Sequence, residues 1–315
     1  MTPREIIAKA WVITKKERQI RKWGYVAAVA ETLLNIKLLT YQIWLITSYL
    51  HGNPIGFLTM ERTIMNNTPT WFFWSLMGFI LVLILVEWLF PHLSKGAIIG
   101  LAAKSHKGEE VKGGLVLAIY NFFPMFALHE IFFLGRITVV ITLCSLMFRY
   151  SPEIAPLTVG ILLIFYAISM IIHFFCIFAE EAVVIKKVGI GVALRTSFKL
   201  VISYLGQVVF LMLLFFVIVL RVLLNVVMVL FVPALVLGIG FLLALVMPPV
   251  ISYSISGILG LIVVGIASYF FAYLAVFKQT VWTLTYMELG KRKELDVIDL
   301  DDEVTTKNGD GNGDA

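Results

Sequence analysis

Long apolar runs separated by short polar connections occupy 25–50, 71–90, 115–134, 157–178, 202–229 and 251–277. Each holds about the 20 residues a helix needs to cross a hydrocarbon core of about 30 Å. Backbone polar groups in lipid must be satisfied within the segment, so runs of this length predict α-helices. Trp71, Phe72, Phe73 and Trp74 open the second run, and Trp11 and Trp23 flank the first, the placement expected of interfacial aromatic belts. Two stretches exceed a single crossing. The region 201–250 is almost wholly apolar but is interrupted by Pro233, Gly238, Gly240 and the Pro248–Pro249 pair. This predicts one crossing followed by an apolar re-entrant or outer-leaflet segment over 231–247. The third run continues past Pro124 to Phe148, which predicts an additional outer interfacial helix.

Composition agrees with this pattern: 60% of the 315 residues are hydrophobic and 14% are charged. Mean hydropathy is +0.95. A soluble domain of this length cannot hide so much apolar surface, so the expected solvent is lipid. Charge then orients the chain. Seven cations lie within the first 23 positions (Arg4, Lys9, Lys15, Lys16, Arg18, Arg21 and Lys22). Lys95, Lys104, Lys107 and Lys112 separate runs two and three; Lys186, Lys187, Arg195 and Lys199 separate runs four and five; Lys291, Arg292 and Lys293 follow run six. The intervening connections carry almost no Lys or Arg. By the positive-inside rule both termini are cytoplasmic and the number of spans is even. The expectation is an all-α, multi-pass membrane helix bundle of about six transmembrane helices with cytoplasmic amphipathic helices, in the plasma membrane of a prokaryote.

Three regions follow: a basic cytoplasmic amphipathic arm at 1–23, a transmembrane domain at 24–290 and an acidic, disordered cytoplasmic tail at 291–315. The segment 182–199 alternates Val184, Val188, Val192, Leu194 and Phe198 with cations at helical spacing. It therefore predicts one amphipathic helix on an anionic leaflet, with Lys186, Lys187, Arg195 and Lys199 touching lipid headgroups. The tail's Asn308, Asp310, Asn312 and Gly313 imitate the start of a calcium loop, but the sequence lacks the bidentate acid that such a loop needs several residues later.

Ionisable residues inside spans are candidates for function. Counted by depth, Lys37, Glu130 and Arg221 form the expected interior polar cluster, and Arg136 falls near the outer face. That cluster reads either as a satisfied network holding helices together or as a path for a substrate or proton. No Walker-type loop, GxSxG elbow or HExxH is present, so no catalytic residue, metal or cofactor is expected. His173 has Cys176 three residues on, a weak metal signal. The net charge of +5 is divided among membrane-proximal segments, which suits membrane lipids of anionic type and not nucleic acid. Protein partners and oligomeric state are not legible.

Four passages carry a family resemblance. They are Leu93-Ser94-Lys95-Gly96-Ala97 leading to Lys107-Gly108-Glu109-Glu110; Phe178-Ala179-Glu180-Glu181-Ala182; Gly191 to Val201 with Arg195-Thr196-Ser197-Phe198-Lys199; and Tyr286-Met287-Glu288-Leu289 with Arg292-Lys293-Glu294. In this order they resemble the six-helix membrane domain attached to some glycerophosphoryl diester phosphodiesterases, and related YciC-like families. The likeness covers roughly 70 to 294 and implies the fold. Nothing corresponds to the phosphodiesterase catalytic domain, so hydrolysis is not implied, and Ser151-Pro152 and Ala155-Pro156 stand where relatives have Pro-Gly. The expected role is non-enzymatic: a structural, lipid-interacting or partner-binding membrane component. The alternative is a transporter or channel for a small molecule, ion or lipid that uses the intramembrane charges.

Overall fold

The computed structural model describes residues 1–52, 65–132, 135–151, 153–216 and 248–309, with Arg62, Leu220 and Leu245 as isolated positions. Lys37 and all residues from 294 to 309 are described by backbone alone, as are further positions within α2 and the last helix. Among the described residues there are helices and no strands. They are α1 (Pro3–Lys16), α2 (Arg18–Leu50), α3 (Thr70–Lys107), α4 (Gly114–Ile131), α5 (Ile137–Tyr150), α6 (Ala155–Phe175), α7 (Ala179–Lys186), α8 (Ile190–Ser203), α9 (Leu205–Phe216) and α10 (Pro249–Gly309). By length and apolarity α3, α4 and α6 are long enough to cross a membrane, and the bent pair α8 and α9 makes a fourth. Arg221 and the predicted re-entrant segment at 231–247 lie outside the described residues or are described only at Leu245.

Two different surfaces alternate along the long helices. α3 has 38 residues, about 57 Å at 1.5 Å per residue, nearly twice a hydrocarbon core. Its first half presents Trp71, Trp74, Phe79, Leu81 and Val82 outward, while Ser94 and Gly96 to Ala103 are buried. α6 likewise exposes Leu157, Ile164, Phe165 and Ile171. Apolar surface of this extent is stable only against lipid or another apolar partner. The main core lies instead at the end of the bundle that carries the basic segments. There Ile6 and Ala10 of α1, Leu101 of α3, Ala182 of α7, Leu200 of α8, Leu211 of α9 and Leu284 of α10 pack together.

The local reasons are visible in the sequence. α1 opens with a capping box: Thr2 Oγ1 accepts from the Glu5 amide, and Glu5 Oε2 accepts from the Thr2 amide at 2.9 Å. Ile6, Ala10 and Ile13 form its buried stripe, and Arg4, Lys9, Lys15 and Lys16 stay exposed. The stripe of the basic arm thus covers the protein's own core. Thr280, Thr283 and Thr285 enter that core because each hydroxyl donates to the carbonyl four residues earlier, at 2.7 to 2.8 Å.

The expected single helix over 182–199 is two helices. Lys187 adopts a left-handed conformation with φ 53°, and Gly189 caps the start of α8. α7 is packed into the protein and does not lie on a surface: Ala179, Glu181, Ala182, Val183 and Val184 are all buried. The break at 176–178 is tied down by Ser197, whose Oγ accepts from the Phe178 amide at 3.0 Å and donates to the Phe175 carbonyl at 3.1 Å. The fifth run bends by 91° between α8 and α9. The continuation of the third run is α5, a helix packed against α2 and α6. α10 is helical to Gly309, through most of the acidic stretch whose composition predicts disorder.

Candidate functional site

Where the apolar halves of the helices meet the packed basic end, a cavity of about 440 Å³ opens between α3, α4, α6, α7, α9 and α10. Its polar wall comprises Lys95, His129, Arg136, His173, Glu180, Glu181, Lys278 and Gln279; Phe132, Met212, Phe215 and Trp282 supply much of the apolar wall. Helix breaks explain why charge can collect here. α4 stops at Ile131 and α5 starts at Ile137, and Gly135 between them approaches α6 so closely that a Cβ would lie 2.8 Å from Ser169 Oγ. Arg136 follows. Its Nη2 donates to the His129 carbonyl at 3.1 Å and to Glu130 Oε1 at 2.9 Å, so a cation covers the carbonyl end of α4.

On the opposite wall Lys95 of α3 donates to Glu180 Oε1 of α7 at 2.9 Å. Burial alone would push the Glu180 carboxyl up, but the charge of Lys95 and its hydrogen bond hold it below the ordinary carboxylate value. Its neighbour behaves oppositely. Glu181 is 1% exposed, and burial together with the charge of Glu180 pushes its carboxyl well above the ordinary value. Gln279 Nε2 donates to Glu181 Oε1 at 2.8 Å, and Glu181 Oε2 has no hydrogen-bond partner among the described residues. The adjacent acids are thus shifted in opposite directions, Glu180 toward its charged form and Glu181 toward its neutral one. Lys278 makes no ion pair among the described residues, although the charges of Glu180, Glu31 and Glu181 act on it from further away.

Behind the rim, α3 and α4 run antiparallel at close quarters. A Cβ on Gly96 would lie 3.1 Å from Asn121 Cβ, and one on Gly100 2.8 Å from Leu117 Cδ1. This is the close approach that small residues four apart permit between helices. It sets His92 over His129 with ring centroids 4.2 Å apart.

Of the sequence-derived interior cluster, Glu130 reaches the site, but its partner is Arg136, which depth counting assigns to the outer face. The pairing arises because α4 ends at Ile131 and α5 begins at Ile137, which lets Arg136 fold back onto the His129 carbonyl and Glu130. The side chain of Lys37 and all of Arg221 lie outside the described residues. Lys186, Lys187, Arg195 and Lys199 are exposed and away from the cavity, with Lys187 Nζ 5.6 Å from the centre of the Tyr120 ring. Lys95, Glu180, Glu181, Lys278 and Gln279 were missed as a group. Four of them read from sequence as solvated charge beside span ends; only the Glu180–Glu181 pair directly after an apolar run gave a signal. No known family, no curated protein and no solved structure matches the chain.

Proposed function

We propose that the chain is a six-span protein of the plasma membrane, with both termini cytoplasmic, that binds a small anionic solute in its interior cavity and carries it across the membrane. The observation that supports this reading is the charge pattern of the cavity wall. Lys95 is paired with Glu180 and Arg136 with Glu130, burial disfavours the charged form of Glu181, and Lys278 makes no ion pair among the described residues. A scaffold has no need for a cavity of 440 Å³ lined in this way, whereas a carrier needs a polar chamber between apolar helices. Broken helices at such a chamber are a recurring device in transporters, where irregular backbone lines a cavity. No catalytic constellation accompanies the cavity, so no reaction is assigned.

The exposed Lys186, Lys187, Arg195 and Lys199 favour contact with anionic headgroups, a role compatible with either reading. The resemblance to phosphodiesterase-associated and YciC-like membrane domains stands as a proposal about fold alone.

Thermal melting of the purified chain against a panel of small carboxylates, phosphates and amines tests the solute class. At a hundredfold excess over Kd a ligand adds about 2.7 kcal/mol, a shift of several degrees. We expect at least one anion to raise Tm in the wild type and to lose most of that effect in Lys278→Gln. Stabilisation by amines alone, or an anion effect indifferent to Lys278, would count against the proposal.

A further inference from the structure

His92 is 3% exposed, and its Nδ1 has no hydrogen-bond partner among the described residues. A buried imidazole nitrogen without a partner is unusual in a folded protein. His129 faces it across 4.2 Å, and Glu130 adjoins His129 at the end of α4. One possible ligand atom from each of His92, His129 and Glu130 lies within 4.8 Å of the other two.

From this geometry we infer a binding site for a divalent transition-metal ion, of the type that zinc occupies, formed by His92, His129 and Glu130. Two imidazoles and one carboxylate are a ligand set that borderline ions accept, with metal–ligand distances of about 2.0–2.2 Å. A tetrahedral ion requires ligand atoms about 3.3 Å apart. Binding an ion therefore requires the three side chains to close in from the 4.8 Å within which their ligand atoms lie. Arg136 occupies Glu130 Oε1 and leaves the second carboxylate oxygen for the ion, so the ion and Arg136 share one carboxylate. Lys95 and Arg136 are near and repel an ion, but each is matched by a carboxylate, Glu180 and Glu130. Three protein ligands leave a fourth position open, and His129 lines the cavity, so that position faces whatever enters it. The site rests on these three residues and not on the solute the cavity carries.

Equilibrating the full-length chain in detergent with Co²⁺ and with Zn²⁺, followed by desalting, tests this. We expect about one ion per chain by elemental analysis and a visible Co²⁺ absorption spectrum of low-coordinate type. His92→Asn, His129→Gln and Glu130→Gln should each weaken Co²⁺ binding at least tenfold, while His106→Asn leaves it unchanged. Mg²⁺ should not compete, since it prefers oxygen ligands. Helical circular dichroism separates lost binding from lost folding, and Zn²⁺ should raise the wild-type Tm without raising that of Glu130→Gln. Absence of bound ion in the wild type, or an unchanged Co²⁺ spectrum in the double variant of His92 and His129, would overturn the site. So would dependence on His173 in place of His92.

Discussion

Glu180 and Glu181 are neighbours in sequence whose environments shift their carboxyls in opposite directions. The sign of each effect follows from its environment. Glu180 has a lowered pKa, so its pairing with Lys95 stabilises the fold above the ordinary carboxylate range and is lost as pH falls through the folded value. Glu181 has a raised pKa, so the fold favours its neutral form, and stability declines as pH rises above the unfolded value until the folded value is passed. Glu180→Gln is expected to lower stability by about 2 kcal/mol at neutral pH, by leaving Lys95 half-buried without its anion. Glu181→Gln keeps an acceptor for Gln279, and should be neutral or stabilising and flatten the decline with rising pH. Melting curves from pH 5 to pH 9 check both. A Glu181→Gln protein less stable than wild type throughout would contradict the raised pKa of the buried acid. Sequence alone shows two acids closing an apolar run; that one is shifted toward its charged form depends on Lys95, 85 residues earlier, reaching Glu180.

At the scale of elements, α3 and α4 owe their close packing to Gly96 and Gly100. Gly100→Val forces its added carbon against Leu117 and should cost about 1–3 kcal/mol of stability. Gly78 in the same helix meets nothing within 4 Å, so Gly78→Val serves as the control and should change stability little. Equal losses from the two would refute the interface. Ser197→Ala tests the junction of α6, α7 and α8, where one hydroxyl serves two backbone groups; loss of roughly 1–3 kcal/mol is expected from the orphaned Phe178 amide and Phe175 carbonyl. The helical character of these elements was legible, because long apolar runs permit little else. Their breaks were not. The end of α4 at Ile131 needs α6 alongside Gly135, and the turn at Lys187 needs a core ready to bury most of α7. Neither condition is local.

For the whole molecule, the basic end and the packed core coincide. Amphipathic stripes such as Ile6, Ala10 and Ile13 were legible as stripes, but periodicity does not say whether lipid or protein covers them. The cavity lies at the boundary of this core and the apolar halves of α3 and α6. A reporter fusion at 294 is expected to report cytoplasm; alkaline phosphatase activity there would break the six-span topology. Cys176 lines the cavity, and Cys144 is the other thiol of the chain. In a Cys144→Ala background, the most direct measurement is the rate at which charged methanethiosulfonates modify Cys176 in opened membranes. A hydrated chamber with Lys278 outside any ion pair predicts modification by both reagents, with the anionic one favoured severalfold and that preference abolished by Lys278→Gln. A Cys176 inert to both reagents in folded protein would mean a dry interior, and would contradict the account.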